Sequence, residues 1–192
     1  MLLLLMLVSS LALAACSSTS GDAAKPTDSE ANAEQEQAEP EKVEPEAEES
    51  ESVDEFEIDM AKVKILDVRK GTANDFEGQE PVILVTYEVT NKSEEPLSPS
   101  TVWIACVEAT QETDEVVERL ETPITDFVEP ELQDYYEENS AGMSKEVKTG
   151  GTLKDVWSYK IIYPEQPVKL TFTKGMSGEK LGEKVINLDE LN

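Results

Sequence analysis

The stretch Val82-Ile83-Leu84-Val85-Thr86-Tyr87-Glu88-Val89-Thr90-Asn91 decides the fold. Branched and aromatic side chains dominate it, and these suit a pleated, half-buried strand. Ile83, Val85, Tyr87 and Val89 recur at period two and so share one face. Gly78 and Pro81 introduce the run. Asn91-Lys92-Ser93-Glu94-Glu95-Pro96 closes it with turn residues.

The same pattern extends to both sides. Upstream, Phe56, Ile58 and Met60 alternate, and Val63, Ile65, Leu66, Asp67 and Val68 precede Gly71. This reads as one opening strand with a bulge where the phase changes. Downstream, residues 101–111 read as a strand, with Val102, Ile104 and Cys106 on one face and Trp103, Ala105 and Val107 on the other. Further strands are expected at 153–163, 167–173 and 183–188. Gly150-Gly151 and Tyr163-Pro164 mark the joints, and Gly175, Gly178 and Gly182 read as turn glycines. Short strands without a βαβ rhythm define an all-β domain over 56–192, an antiparallel sandwich or barrel.

Residues 112–142 depart from this pattern. They are acidic, and residues 131–138 can form a short helix with Pro130 in its first turn. The expectation is a long acidic loop or short helix insertion. Long ordered loops often carry function, so a binding surface is sought here first. Tyr135 and Tyr136 are its candidate residues. One reading exposes a ring for recognition, and the other packs both rings against the sandwich.

In this order, Tyr87-Glu88-Val89-Thr90-Asn91, Leu97-Ser98-Pro99, Gln111, Leu120, Gly150-Gly151-Thr152, Pro167-Val168-Lys169-Leu170, Lys174-Gly175 and Leu181-Gly182 carry a resemblance. The chain resembles an uncharacterised family of immunoglobulin-like domains attached to lipoproteins of low-GC Gram-positive bacteria. Order and spacing carry the likeness, since each motif alone is common in β-sandwiches. The resemblance implies an immunoglobulin-like antiparallel β-sandwich on a surface lipoprotein. It implies no activity.

The amino terminus points the same way. Residues 2–8 are wholly apolar, and the run continues through Leu11-Ala12-Leu13-Ala14-Ala15. It is shorter than the roughly 20 residues a membrane-spanning helix needs. It matches the apolar core of a signal peptide over 1–15, closing on small residues. Leu13-Ala14-Ala15-Cys16 resembles the lipobox, so Cys16 is the expected lipidation site. A diacylglyceryl group supplies two acyl chains, enough for stable anchoring. No Lys or Arg precedes the apolar core, which points to a start slightly upstream of Met1.

Residues 17–55 hold 14 acidic residues, 2 lysines and no aromatic residue. Such a segment cannot bury enough apolar surface to offset chain entropy, so a disordered acidic tether is expected. As a flexible coil it would separate its ends by about 35 Å.

The chemistry open to the chain is narrow. Its formal net charge is −26, which excludes nucleic acid as a partner, because phosphate binding needs clustered Lys and Arg. It contains no histidine, which removes Ser-His-Asp and Cys-His catalysis and the common zinc sites. With Cys16 lipidated, Cys106 has no disulfide partner within the chain and is expected to be buried and inert. Gly-rich phosphate loops and calcium loops of the Asp-x-Asp-x-Asp-Gly type are missing from the sequence. Glu94-Glu95 and Glu137-Glu138 read as solvated surface, the alternative being a share in a weak calcium site in the folded state.

The sequence therefore predicts no catalytic residue, metal or cofactor. The expected protein is lipid-anchored on the outer side of the cell membrane and displays a non-catalytic domain. An extracellular protein, peptide or envelope polymer is its expected partner. The alternatives are an envelope structural or stress protein with no specific ligand and a carboxylate-dependent hydrolase. The hydrolase requires a cleft with two facing carboxylates.

Overall fold

The computed structural model describes residues 53–76, 78–122, 125–176 and 178–191. The signal segment, Cys16 and residues 17–52 of the expected tether lie outside the described residues.

Among the described residues, eight strands form two four-stranded antiparallel sheets. The first has the order β1 (Glu55–Ile58), β2 (Ala61–Asp75), β3 (Gly78–Asn91) and β6 (Thr152–Lys160). The second has the order β5 (Val117–Arg119), β4 (Val107–Glu112), β7 (Val168–Thr173) and β8 (Lys180–Ile186). Among the described residues, two α-helices join the sheets: α1 (Pro99–Cys106) connects β3 to β4, and α2 (Pro130–Asn139) lies between β5 and β6. The expected antiparallel sandwich with a helical insertion is the architecture that forms.

The β3 strand is central and covered on both faces. Ile83, Val85, Tyr87 and Val89 enter the core between the sheets, all fully buried. Val82 and Leu84 are equally buried on the opposite face, in a second cluster with Ala73, Phe127, Leu132 and Val156. The first sheet thus has a solvent-side layer of its own. Unbroken apolar runs are characteristic of strands covered on both faces.

The opening segment is a hairpin rather than one strand, because Asp59 and Met60 turn the chain between β1 and β2. The bulge is present further along. Ile65 faces Tyr87 and Asp67 faces Thr86, leaving Leu66 as the extra residue. An inserted residue reverses side-chain parity. Val63 and Ile65 point to the inter-sheet core, and after the bulge that face passes to Val68. Asp67 and Arg69 are thereby turned to the outer face of the sheet. Without the bulge, Asp67 would continue the inward series.

The expected strand over 101–111 is corrected. Residues 99–106 form α1, and the strand begins only at Val107. Pro99 occupies the first helical turn, where its missing N–H costs nothing. The buried positions Pro99, Val102, Trp103 and Cys106 follow helical spacing, while Ile104 is 53% exposed. The branched side chains favour a strand locally, but packing against the core decides for the helix.

Trp103 occupies the centre of that core. Its ring stacks on Tyr87 at 4.1 Å between centroids, and its Nε1 donates to the Tyr159 hydroxyl at 2.8 Å. Phe56 and Phe172 stack at 4.7 Å and tie β1 to the second sheet.

Cys106 is 1% exposed, and burial pushes its thiol pKa up. A thiol kept protonated and covered is a poor nucleophile. In the folded domain Cys106 should resist iodoacetamide at neutral pH and react stoichiometrically only after denaturation. Mass spectrometry of the labelled protein distinguishes the two; rapid labelling of the native state would place the thiol at the surface.

Candidate binding site

The α2 helix docks on the outer face of the first sheet through the residues the bulge presents. Tyr135 Oη donates to Asp67 Oδ2 at 3.1 Å and shares a 2.7 Å hydrogen bond with Thr86 Oγ1. A phenol has one proton, so with Asp67 accepting it the Thr86 hydroxyl donates. Arg69 Nε donates to the same Asp67 oxygen at 2.8 Å, and its guanidinium lies 3.5 Å from the Tyr135 ring centroid. At the helix start, Glu129 Oε2 accepts the Thr72 amide at 3.0 Å, and Leu132 packs into the outer cluster. A Cβ at Gly71 would lie 2.2 Å from Leu132 Cδ2, so glycine here lets the helix sit close on the strand.

These carboxylates make the docking pH-dependent. Burial raises the Asp67 pKa, but hydrogen bonds from Arg69 and Tyr135 outweigh it, and the net shift is downward. Glu129 is also lowered: burial raises its pKa, but hydrogen bonds from the Thr72 amide, its own amide and the Thr72 side chain together outweigh it. A depressed carboxyl contributes stability above its unfolded value and loses it as pH falls through the folded value. Below the ordinary carboxylate range near pH 4, α2 should therefore loosen before the sandwich does. Amide exchange measures this: protection at Thr72, Gln133 and Ser140 should fall with acid while β3 remains protected. Equal losses in both would show that these contacts do not set the helix's acid response.

A second anchor lies at the other end of α2. Asp155, on β6, is 2% exposed. Its Oδ1 accepts from the Ser140 hydroxyl at 3.1 Å, the Ala141 amide at 2.8 Å and the Val156 amide at 2.9 Å. Its Oδ2 accepts from the Tyr87 hydroxyl at 3.2 Å. One buried carboxylate thus links the core, the edge strand and the chain leaving α2.

Between these parts opens a cavity of about 320 Å³, lined by Ser100, Tyr136, Ser140, Asp155, Trp157 and Ser158 among others. Four successive β6 residues, Asp155 to Ser158, contribute to it. It therefore follows the edge of this outermost strand rather than one of its faces. Ser158 is 2% exposed, and its hydroxyl has no hydrogen-bond partner among the described residues. Asp155 is the sole acidic residue lining the cavity among the described residues, so no carboxylate pair is assembled there. No group of three or more His, Cys, Asp or Glu that could hold a metal ion occurs among the described residues.

The two tyrosines have separate places. Tyr136 lines the cavity and packs against Phe127 at 5.3 Å, whereas Tyr135 pins the helix to the sheet. The sequence did not single out Asp155 or Ser158. Their signal was one polar residue directly before the branched and aromatic run Val156, Trp157, Tyr159 and another interrupting it. Some motif residues behind the family resemblance support the fold. Asn91 Nδ2 donates to the Glu95 and Val147 carbonyls, at 2.7 and 2.8 Å. Gln111 is 1% exposed, donating to the Tyr163 and Gln166 carbonyls and accepting from the Ile162 and Tyr163 amides.

Fold and site together define a β-sandwich with a helix clasped to its outer face and a small cavity at a sheet edge. The chain belongs to the family described as a domain of unknown function, DUF5067, whose model matches residues 36–174. The match reaches back into the segment expected as tether. No curated protein matches the chain. Its fold is similar to that of a candidate lipoprotein from Staphylococcus aureus, with a TM-score of 0.58 at 18% identity, spanning 72% of this chain and 90% of that one. It is also similar to a protein from Enterococcus faecalis solved by NMR, with a TM-score of 0.53 at 18% identity, spanning 72% and 92% respectively. Likeness at this identity shows the fold alone. No helix among the described residues is long and apolar enough to cross a membrane.

Proposed function

We propose that this protein is a lipid-anchored envelope protein whose sandwich domain binds a ligand outside the membrane without transforming it. The cavity along β6 carries the binding part of this reading, because a preformed concavity walled by the aromatic residues Tyr136 and Trp157 is a common form of ligand site. The lipobox around Cys16 and the lipoprotein description of the Staphylococcus aureus relative support the anchor. The lack of histidine in the sequence and the single carboxylate among the described residues lining the cavity support a non-catalytic role.

Two measurements test this. Cells expressing the chain and fed an alkyne fatty acid should label it, and Cys16→Ala should abolish labelling and membrane retention. Unlabelled protein in the membrane fraction would remove the anchor from the reading. The full chain should also cosediment with isolated Gram-positive cell walls, and Ser158→Leu, which fills the cavity, should abolish this while circular dichroism stays unchanged. Cosedimentation indifferent to Ser158→Leu would favour a spacer or stress role over specific binding.

A further inference from the structure

We propose that an apolar cavity between the β1–β2 turn and α1 receives the Phe76 ring of a second copy of this chain. The contact is separate from the β6 cavity and does not depend on what that cavity binds.

The socket is built at one end of the sandwich. Ile58 and Met60 from the β1–β2 turn, Leu97, Val102 and Ala105 from α1 and its approach, and Gly175 after β7 line a space of about 320 Å³. Asp59 and Lys174 are its charged lining residues among those described, and they pair with each other at 2.9 Å. They present no unmatched charge to an occupant. The accessible wall is mostly aliphatic, since Met60 is 51% exposed and Leu97 and Ala105 are half-buried. A polar ligand would lose its hydration there without replacement, so the wall selects an apolar group. An engineered apolar cavity of about 150 Å³ holds benzene, and a single phenyl ring therefore fits this one.

The plug is at the other end. Phe76, at the tip of the β2–β3 hairpin, is 98% exposed, the most exposed large apolar side chain among the described residues. Its amide donates to Asp75 Oδ1 at 2.6 Å, which engages the neighbouring carboxylate within the turn. Aromatic residues are enriched at protein interfaces, and a ring held clear of its own domain is free to enter another.

Distance decides whose cavity the ring enters. The β2 strand starts at Ala61, next to Met60, and ends at Asp75, next to Phe76. Its 15 residues, at about 3.3 Å each, keep ring and cavity of one copy about 45–50 Å apart. The ring can reach only another copy's cavity. A contact built on one ring is small against the roughly 1,000 Å² of a stable interface. It suits copies held at high local concentration, as on one membrane surface.

The test places the photoreactive analogue p-benzoylphenylalanine at position 76 of the full chain in expressing cells. Irradiation should join copies covalently, and mass spectrometry should find the links at Met60, Leu97 or Ala105. An antiparallel pair gives a dimer alone and a head-to-tail row gives a ladder, and both seat the ring in the cavity. Ala105→Leu, which fills the cavity, and Met60→Glu, which charges its mouth, should each cut the yield about tenfold or more, the worth of burying one such ring. Met60 lies outside the buried core, so Met60→Glu tests the contact even where Ala105→Leu disturbs folding. No joined copies, links only to other proteins or to residues away from the cavity, or an unchanged yield in Met60→Glu would overturn the proposal.

Discussion

Trp103→Ala should remove most of the stability of the domain. The side chain is fully buried, so truncation loses its transfer free energy and leaves a cavity between the sheets. Substitutions of this kind cost about 3–5 kcal/mol. A domain of this size is stable by about 5–15 kcal/mol, and a second loss adds to the first, because Tyr159 loses the indole N–H that donates to its hydroxyl at 2.8 Å. Trp103→Phe separates the two. It retains an aromatic face against Tyr87 and removes the donor, at about 1–3 kcal/mol. Urea denaturation followed by circular dichroism measures both. If Trp103→Ala shifts the midpoint no further than Trp103→Phe, α1 is not the core element described here.

The sequence made the strands legible where one face alternates and a turn follows. The inward set of β3 and the turn after Asn91 both follow from local pattern. The helix at Pro130 was legible too, because proline in a first turn is a local signal. The α1 helix was obscured because two periods coexist in its residues. Val102, Ile104 and Cys106 alternate as a strand would, while Pro99, Val102, Trp103 and Cys106 recur as a helix would. Which period is used depends on what lies opposite, and residues from β3 and β6 supply that surface. The second apolar layer was also present in Val82 and Leu84, which break the alternation of β3. An unbroken run, however, does not reveal what covers its other face. The cavity was the least legible feature, since it unites α1, the end of α2 and β6. No local pattern connects Ser100, Tyr136 and Ser158.

Asp155→Ala should be the other severe substitution, and it should act on the fold and the cavity together. The carboxylate has four donors: a phenol, a serine hydroxyl and two backbone amides. Removing it leaves these donors facing a space that alanine cannot fill. Each buried donor left unsatisfied costs about 1–3 kcal/mol. The loss should not be uniform. The Ser140 and Ala141 bonds hold the chain leaving α2 against β6, so that end should show fast amide exchange even where the sandwich survives. Asp155→Asn is the informative companion. Its amide oxygen can take the place of Oδ1 and keep three donors, and its NH₂ then faces the Tyr87 oxygen as a donor. The Asn variant should retain most of the stability that Ala loses. Equal destabilisation by the two would mean that the negative charge, rather than acceptor geometry, holds this edge of the sandwich together.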